Sequence, residues 1–309
     1  MTRIDLHCHV FPPGYRNQLS GGLAPPPVHD ELLAYMDAWR TDAAVLSSGG
    51  PLRGSHPLPQ LARLINEGYA QLVAEHPKRF GAIASVPLPD VDAALVELEY
   101  ALDTLHLDGV LLLTNYQGVY LGDPRLDPFF DELERRATYC FVHPDFPPTS
   151  PLPEHPGRWY EFPFDTTRAL VNVALTGTFD RCPNVKLQWA HLGGTIPFIA
   201  NRIHAQSSRM PDETARMRLG MADYVARQFY DTGLSAYYGN LISTLGVVGM
   251  ERIVFGTDWP YISLPGDGDD PQPELALLGH ARPKIDHENA AALVPRLVER
   301  MTAGGRVAR

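Results

Sequence analysis

Eight short apolar runs with helix-patterned stretches between them constrain this chain more than any other feature. They fall at 3–9, 43–47, 80–86, 109–113, 139–143, 185–190, 229–231 and 252–255. Most are continuously apolar rather than alternating, which suits strands of a parallel sheet buried on both faces. The intervening stretches carry apolar residues at helical spacing: 31–40, 58–75, 90–105, 126–136, 166–179, 195–208, 213–227 and 238–248. Asp90 reads as the N-cap of its helix. Eight strand–helix units predict an α/β fold, a single (β/α)8 TIM barrel over about 3–262. Helices near 272–280 and 287–301 follow within a C-terminal extension, about 263–309, whose last residues read as frayed. Residues 10–30 and 144–163, rich in Pro and Gly, read as loops, as does 115–118. An open doubly wound sheet is the competing architecture, but the glycine fingerprint of dinucleotide binding does not follow strand one.

Composition narrows the function. A formal charge of −10 disfavours nucleic acid as a partner, because phosphate binding needs a basic face. No run of about 18 apolar residues predicts a membrane span. The N-terminus lacks the charged-then-apolar pattern of a leader, so none is expected. Cys8, Cys140 and Cys182 show no paired spacing, which fits a reducing cytoplasm better than a disulfide framework.

The chemistry begins in Ile4-Asp-Leu-His-Cys-His9. On a strand His7 and His9 share one face and Cys8 points away, so two imidazoles about 7 Å apart at one strand end are placed to converge on a cation. Active sites of such barrels lie at the C-terminal ends of the strands. Those ends also carry His143 on strand five, His191 on strand six and Asp258 on strand eight. We expect His7, His9, His143 and Asp258 to be ligands of one divalent metal. Three nitrogens and an oxygen suit Zn²⁺ first, with Mn²⁺ or Fe²⁺ possible. His191 is expected to hydrogen-bond the metal-activated water or the substrate as a catalytic group. A two-metal centre commonly needs a bridging Lys carbamate at the end of strand four. That strand ends Leu113-Thr-Asn-Tyr116, and Lys186 lies at the start of strand six, so one metal is predicted.

Four segments, Ile4-Asp-Leu-His-Cys-His9, Phe141-Val-His-Pro144, Ala190-His-Leu-Gly-Gly194 and Phe255-Gly-Thr-Asp-Trp-Pro260, resemble the amidohydrolase superfamily, in the branch of aminocarboxymuconate-semialdehyde decarboxylase. The chain looks most like the 6-methylsalicylate-decarboxylase-like group, through Gly81-Ala-Ile-Ala-Ser-Val-Pro-Leu-Pro89, Leu112-Leu-Thr-Asn-Tyr116, Tyr120-Leu-Gly-Asp-Pro124 and Glu161-Phe-Pro-Phe-Asp-Thr-Thr167. The resemblance implies a distorted barrel and one metal on the four ligands above. It further implies a catalytic His at position 191, decarboxylation with no organic cofactor, and often a homodimer. It departs at Asp145-Phe-Pro-Pro148, near the mouth, so the acid accepted is expected to differ.

The expected reaction is non-oxidative decarboxylation of a small aromatic, hydroxybenzoate-like, or enoic carboxylic acid. Asp258, or the metal water relayed by His191, is expected to supply the proton to carbon. Arg53 is the candidate partner for the substrate anion, with Arg168 a weaker one. Phe146, Trp159 and Trp259 are candidates to wall an aromatic ring. The alternative is a hydrolase opening a lactone, ester or amide, since the same ligands activate water. A barrel keeping metal for structure alone is disfavoured, because structural zinc is usually closed by four protein ligands.

Overall fold

A computed structural model describes residues 2–19, 28–150, 152–207, 209–212, 214–262, 264–265 and 270–303. The eight apolar runs form eight parallel strands: β1 (Ile4–His9), β2 (Ala43–Ser47), β3 (Phe80–Ala84), β4 (Gly109–Leu113), β5 (Tyr139–His143), β6 (Lys186–Trp189), β7 (Phe229–Asp231) and β8 (Ile253–Val254). Each pairs with its neighbour in chain order. The ends meet: the Leu6 amide donates to the Phe255 carbonyl (3.0 Å), and the His9 amide to the Trp259 carbonyl (2.8 Å). This closure makes the sheet a (β/α)8 barrel, as the strand count predicts.

The helices lie outside and bury one stripe each. In Leu58–Glu75 the buried apolar side chains are Leu61, Ala62, Ile65, Tyr69 and Leu72, the i, i+3/i+4 spacing of a half-buried helix. Asp90 caps Val91–Glu99, accepting a bond from the Ala93 amide at 3.1 Å. Two apolar layers pack between strands and helices. A third fills the barrel floor, where Ile4, Leu6, Val45, Ile83, Leu111, Phe141 and Val254 meet Ala290, Leu293, Val294 and Leu297 of the C-terminal extension. Among the described residues no helix is long and apolar enough to cross a membrane.

Several boundaries differ from the sequence reading. The expected loop 115–118 is a small hairpin, Asn115–Tyr116 against Val119–Tyr120. Gln117 and Gly118, with φ of 54° and 91°, make its two-residue turn. The helix expected over 90–105 finishes as a π-turn, Tyr100–Thr104. The helix expected near 272–280 is a kinked 3₁₀ segment, Pro273–Ala281. In place of one helix over 287–301 there are short turns and then Pro295–Thr302. The last helix of the barrel's sixth unit is shorter than 213–227, at Met221–Arg227. Of the expected 10–30 loop, residues 20–27 lie outside the described residues and Pro13–Arg16 is a short helix; of the last residues, expected to be frayed, 304–309 lie outside them too.

Candidate metal centre

Strand β1 sets the site by changing phase. Ile4 and Leu6 belong to the floor cluster, whereas Cys8 belongs to the layer outside the barrel. The β1–β2 register shifts between Asp5 and Cys8, and such a bulge re-aims side chains at a barrel rim. His7 and His9 thus both point into the lumen, their Nε2 atoms 3.2 Å apart.

His143, at the end of β5, and Asp258, just past β8, reach the same point. One ligand atom from each of His7, His9, His143 and Asp258 lies within 4.8 Å of the others, and all four residues are buried. His9 Nε2 is 2.9 Å and His7 Nε2 3.4 Å from Asp258 Oδ1. That oxygen has no hydrogen-bond partner.

The outer faces of the rings explain the inner ones. His143 Nδ1 lies 2.8 Å from the Pro144 carbonyl, which only accepts, so Nδ1 carries the hydrogen. The Ser47 hydroxyl donates to the Cys8 carbonyl (2.9 Å) and so accepts from His9 Nδ1 (3.1 Å). His7 Nδ1 donates to Asp231 Oδ1 at 2.8 Å. Each ring therefore has a proton held on Nδ1 outside and turns Nε2 toward the shared centre, the orientation of metal-binding imidazoles. A cation is the partner that suits these inward nitrogens together with an unpaired carboxylate oxygen.

Electrostatics follow the same layout. Burial pushes His7 down, but the Asp231 and Asp258 carboxylates outweigh it and hold His7 up at about 10. Burial and the neighbouring imidazoles push His9 below, and His143 well below, the ordinary histidine range. Burial would raise Asp258, yet the surrounding histidines hold it well below the carboxylate range. His191 stands at the edge, with Nε2 3.0 Å from Asp258 Oδ2 and its buried Nδ1 without a partner.

Two supporting carboxylates were not singled out from the sequence. Asp231, ending β7, takes bonds from His7 Nδ1, Gln188 Nε2 (2.9 Å), the His191 amide (3.2 Å) and the Gly233 amide (3.0 Å). A carboxylate at a fifth strand end was the available signal. Asp5 accepts from the His7 amide and from the Thr257 amide and hydroxyl, and burial raises it to about 6 against those bonds. It fixes β1 to the turn that presents Asp258.

The expected substrate residues are dispersed. Arg53 sits in the loop after β2, its amide bonded to the Tyr15 hydroxyl at 2.8 Å. Burial raises Asp145 at the opposite side of the mouth, with the Arg53 charge opposing. Phe146 packs on Phe162 (5.0 Å between centroids), and Phe162 is the ring that meets His143 (6.1 Å). Trp159 is 77% exposed. Trp259 packs beside Tyr35 in the outer layer with Cys8. Arg168 is paired to Glu161 (3.2 Å) and Asp165 (3.5 Å). A cavity of about 100 Å³ opens between the loops after β2, β3 and β4, lined by Leu52, Val86, Leu113, Tyr116, Asn115 and Asp145 among others.

A closed barrel with convergent imidazoles and a carboxylate at its strand ends defines the class of metal-dependent barrel enzymes. Residues 4–296 match the amidohydrolase family, and the chain belongs to it. It is 34% identical to the decarboxylase macB of Penicillium terrestre, covering 84% of this chain and 85% of that one. It is 32% identical to the 6-methylsalicylic acid decarboxylase of Penicillium expansum, covering 84% and 85%. Its fold matches a dihydroxybenzoic acid decarboxylase of Polaromonas, solved with bound manganese and 2-nitroresorcinol, at a TM-score of 0.79 and 21% identity, covering 95% and 97%. The chain is thus an enzyme of a family whose members include these decarboxylases.

Proposed function

We propose that the chain is a metal-dependent, non-oxidative decarboxylase of a small hydroxybenzoate-like carboxylic acid. The observation that carries this reading is the inward set of three Nε2 atoms around the unpaired Asp258 Oδ1. His7, His9, His143 and Asp258 would hold one divalent ion, for which the N₃O donors suit Zn²⁺ and also accept Mn²⁺. The decarboxylases among the relatives support the reaction class. When bound, the ion supplies a Lewis acid and a template for a carboxylate or neighbouring phenol oxygen.

The chain's own groups do the rest. Breaking the bond to CO₂ leaves its electron pair on the ring carbon, and one proton must arrive there, so that ArCOO⁻ and H⁺ give ArH and CO₂. His191, held through its amide by Asp231 and through Nε2 by Asp258, is the residue we assign to that proton, with Asp258 as its partner. Arg53 would offset the substrate's negative charge at the mouth. Phe146 and Trp159 are kept as candidate walls, Trp259 is set aside because its ring packs outward on Tyr35, and the packing of Phe162 on His143 adds a nearer ring. We further propose a homodimer and a cytoplasmic setting. Phe198, Tyr238 and Ile242 stand exposed on two helices, and all three cysteines are free and buried.

The test offers hydroxybenzoates to protein loaded with Zn²⁺ or Mn²⁺ and follows CO₂. Turnover should vanish in His191→Ala while metal content persists. Ring opening of a lactone with uptake of water, and no CO₂ from any acid, would replace this reading by the hydrolase.

A further inference from the structure

We propose a second divalent-cation site, separate from the barrel centre, made by His29, Glu75 and His76. One ligand atom from each lies within 4.8 Å of the others. The two rings face at 6.2 Å between centroids. His29 is the first residue of its helix (His29–Ala38), and Glu75 is the last of Leu58–Glu75, with His76 as that helix's C-cap. Three ligands from two helices thus meet where one begins and the other ends.

The buried, unpartnered Nδ1 of His29 points to a cation. Its Nε2 faces Asp30 Oδ1 at 3.5 Å, and its Nδ1 is sealed from solvent without a hydrogen-bond partner. A proton on the Asp30 side leaves a buried lone pair on Nδ1. Leaving such a group unpaired is unfavourable, and a coordinated ion removes that penalty. Glu75 is held by one oxygen, Oε1, which accepts from Gln71 Nε2 at 2.8 Å. His76 is fixed by its amide on the Leu72 carbonyl (3.0 Å) and by its ring edge on Phe80 (5.4 Å). These outer contacts orient ligands in built metal sites. Two imidazoles and a carboxylate select late first-row ions, Zn²⁺, Ni²⁺ or Cu²⁺, over Mg²⁺ or Ca²⁺.

Position sets the role. Phe80 opens β3, so His76 lies at the N-terminal end of the barrel, the face associated with stability rather than chemistry. The ion would clamp the two helices and touch no reacting atom.

The experiment is equilibrium dialysis of chelator-stripped protein against Zn²⁺ alone, with elemental analysis and thermal unfolding. Wild-type protein should take two equivalents. His29→Ala and His76→Ala should each weaken one of them at least about tenfold, the smaller loss typical of outer-contact mutations, and leave decarboxylation unchanged. Those variants should also lose the part of the Zn²⁺-dependent rise in Tm that belongs to this site. Glu75→Gln, at an exposed position, weakens the same equivalent and keeps the test decisive should a histidine variant fail to fold. His143→Ala should lose the other equivalent and keep this one, which separates the two sites. A wild-type stoichiometry of one, or a second equivalent that survives His29→Ala, His76→Ala and Glu75→Gln, overturns the assignment.

Discussion

His191 Nε2 lies 3.0 Å from Asp258 Oδ2, and both residues hold left-handed backbone, with φ of 57° and 62°. Each such conformation costs about 1–3 kcal/mol in a residue other than glycine and persists only when its surroundings enforce it. Here Asp231 holds the His191 amide, and the His7 carbonyl takes the Asp258 amide at 2.7 Å. His191→Gly should therefore retain or gain stability while losing all turnover. A mutant as active as wild type would remove His191 from the chemistry.

Asp231 orients His7 and steadies the His191 turn at once. In Asp231→Asn the side-chain amide offers one acceptor where a carboxylate served four donors. Metal affinity should fall about 10–100-fold, the usual cost of losing a carboxylate behind a ligating imidazole. Competition against a chelator measures it, and an unchanged dissociation constant would count against His7 as a ligand.

Gly49 has φ of +61°, and a Cβ there would stand 2.1 Å from His9 Nδ1. Gly49→Ala must turn that ring or move its loop, and the left-handed backbone adds about 1–2 kcal/mol. We expect bound metal to drop sharply while circular dichroism stays that of the barrel. Normal metal content in this variant would show the His9 ring not to be needed where it stands.

Metal uptake should release one proton. In the metal-free cluster His7 holds its proton up to about 10, whereas His9 and His143 are pushed below the ordinary histidine value. An ion must displace the His7 proton only, so apparent affinity should rise about tenfold per pH unit between roughly pH 7 and 9. Without metal the sign reverses. A histidine whose folded pKa is raised adds stability that is complete below its unfolded value and is lost as pH climbs through about 10. Calorimetry in buffers of different ionisation enthalpy counts the protons, and a count near zero or three would contradict this picture.

Asp165 is a buried hub beside the mouth. It accepts from the Thr114 hydroxyl, the Asn115 amide (2.9 Å) and the Tyr120 hydroxyl. These tie the 115–120 hairpin, which lines the cavity, to the helix Glu161–Leu175. Asp165→Ala strands the Thr114 and Tyr120 hydroxyls, each costing about 1–3 kcal/mol if it stays dry, while the Asn115 amide keeps its bond to the Phe146 carbonyl. Urea unfolding should show a loss of at least about 2 kcal/mol, and a loss below about 1 kcal/mol would mean the hairpin stands without this acceptor.

Periodicity made the barrel legible, because eight continuous apolar runs fit few other sheets. The metal-competent cluster was legible for a related reason: side chains at C-terminal strand ends converge in a closed barrel wherever they occur in the chain. What stayed hidden depends on direction rather than position. Trp259 follows Asp258, yet the local backbone sends its ring outward to Tyr35. Phe162, inside what reads as loop, turns onto His143 because the helix starts at Glu161, five residues earlier than the apolar spacing suggests. Asp231 was passed over because a single carboxylate closing a three-residue strand carries no spacing signal. The Gln117-Gly118 turn was seen only as loop because its flanking strands are two residues each.

The barrel floor is sealed by residues 290–297, which pack on strands lying far earlier in the chain. Ile4, Leu6 and Val45 share that cluster with Leu293, Val294 and Leu297, so the two ends of the barrel sequence meet beneath the lumen. Contacts of such sequence separation pay loop-closure entropy before they reward it, so they slow folding. Deleting Pro295–Thr302 would then cost more than its length suggests, because it uncovers Ile4, Leu6 and Val45 rather than its own neighbours in the chain.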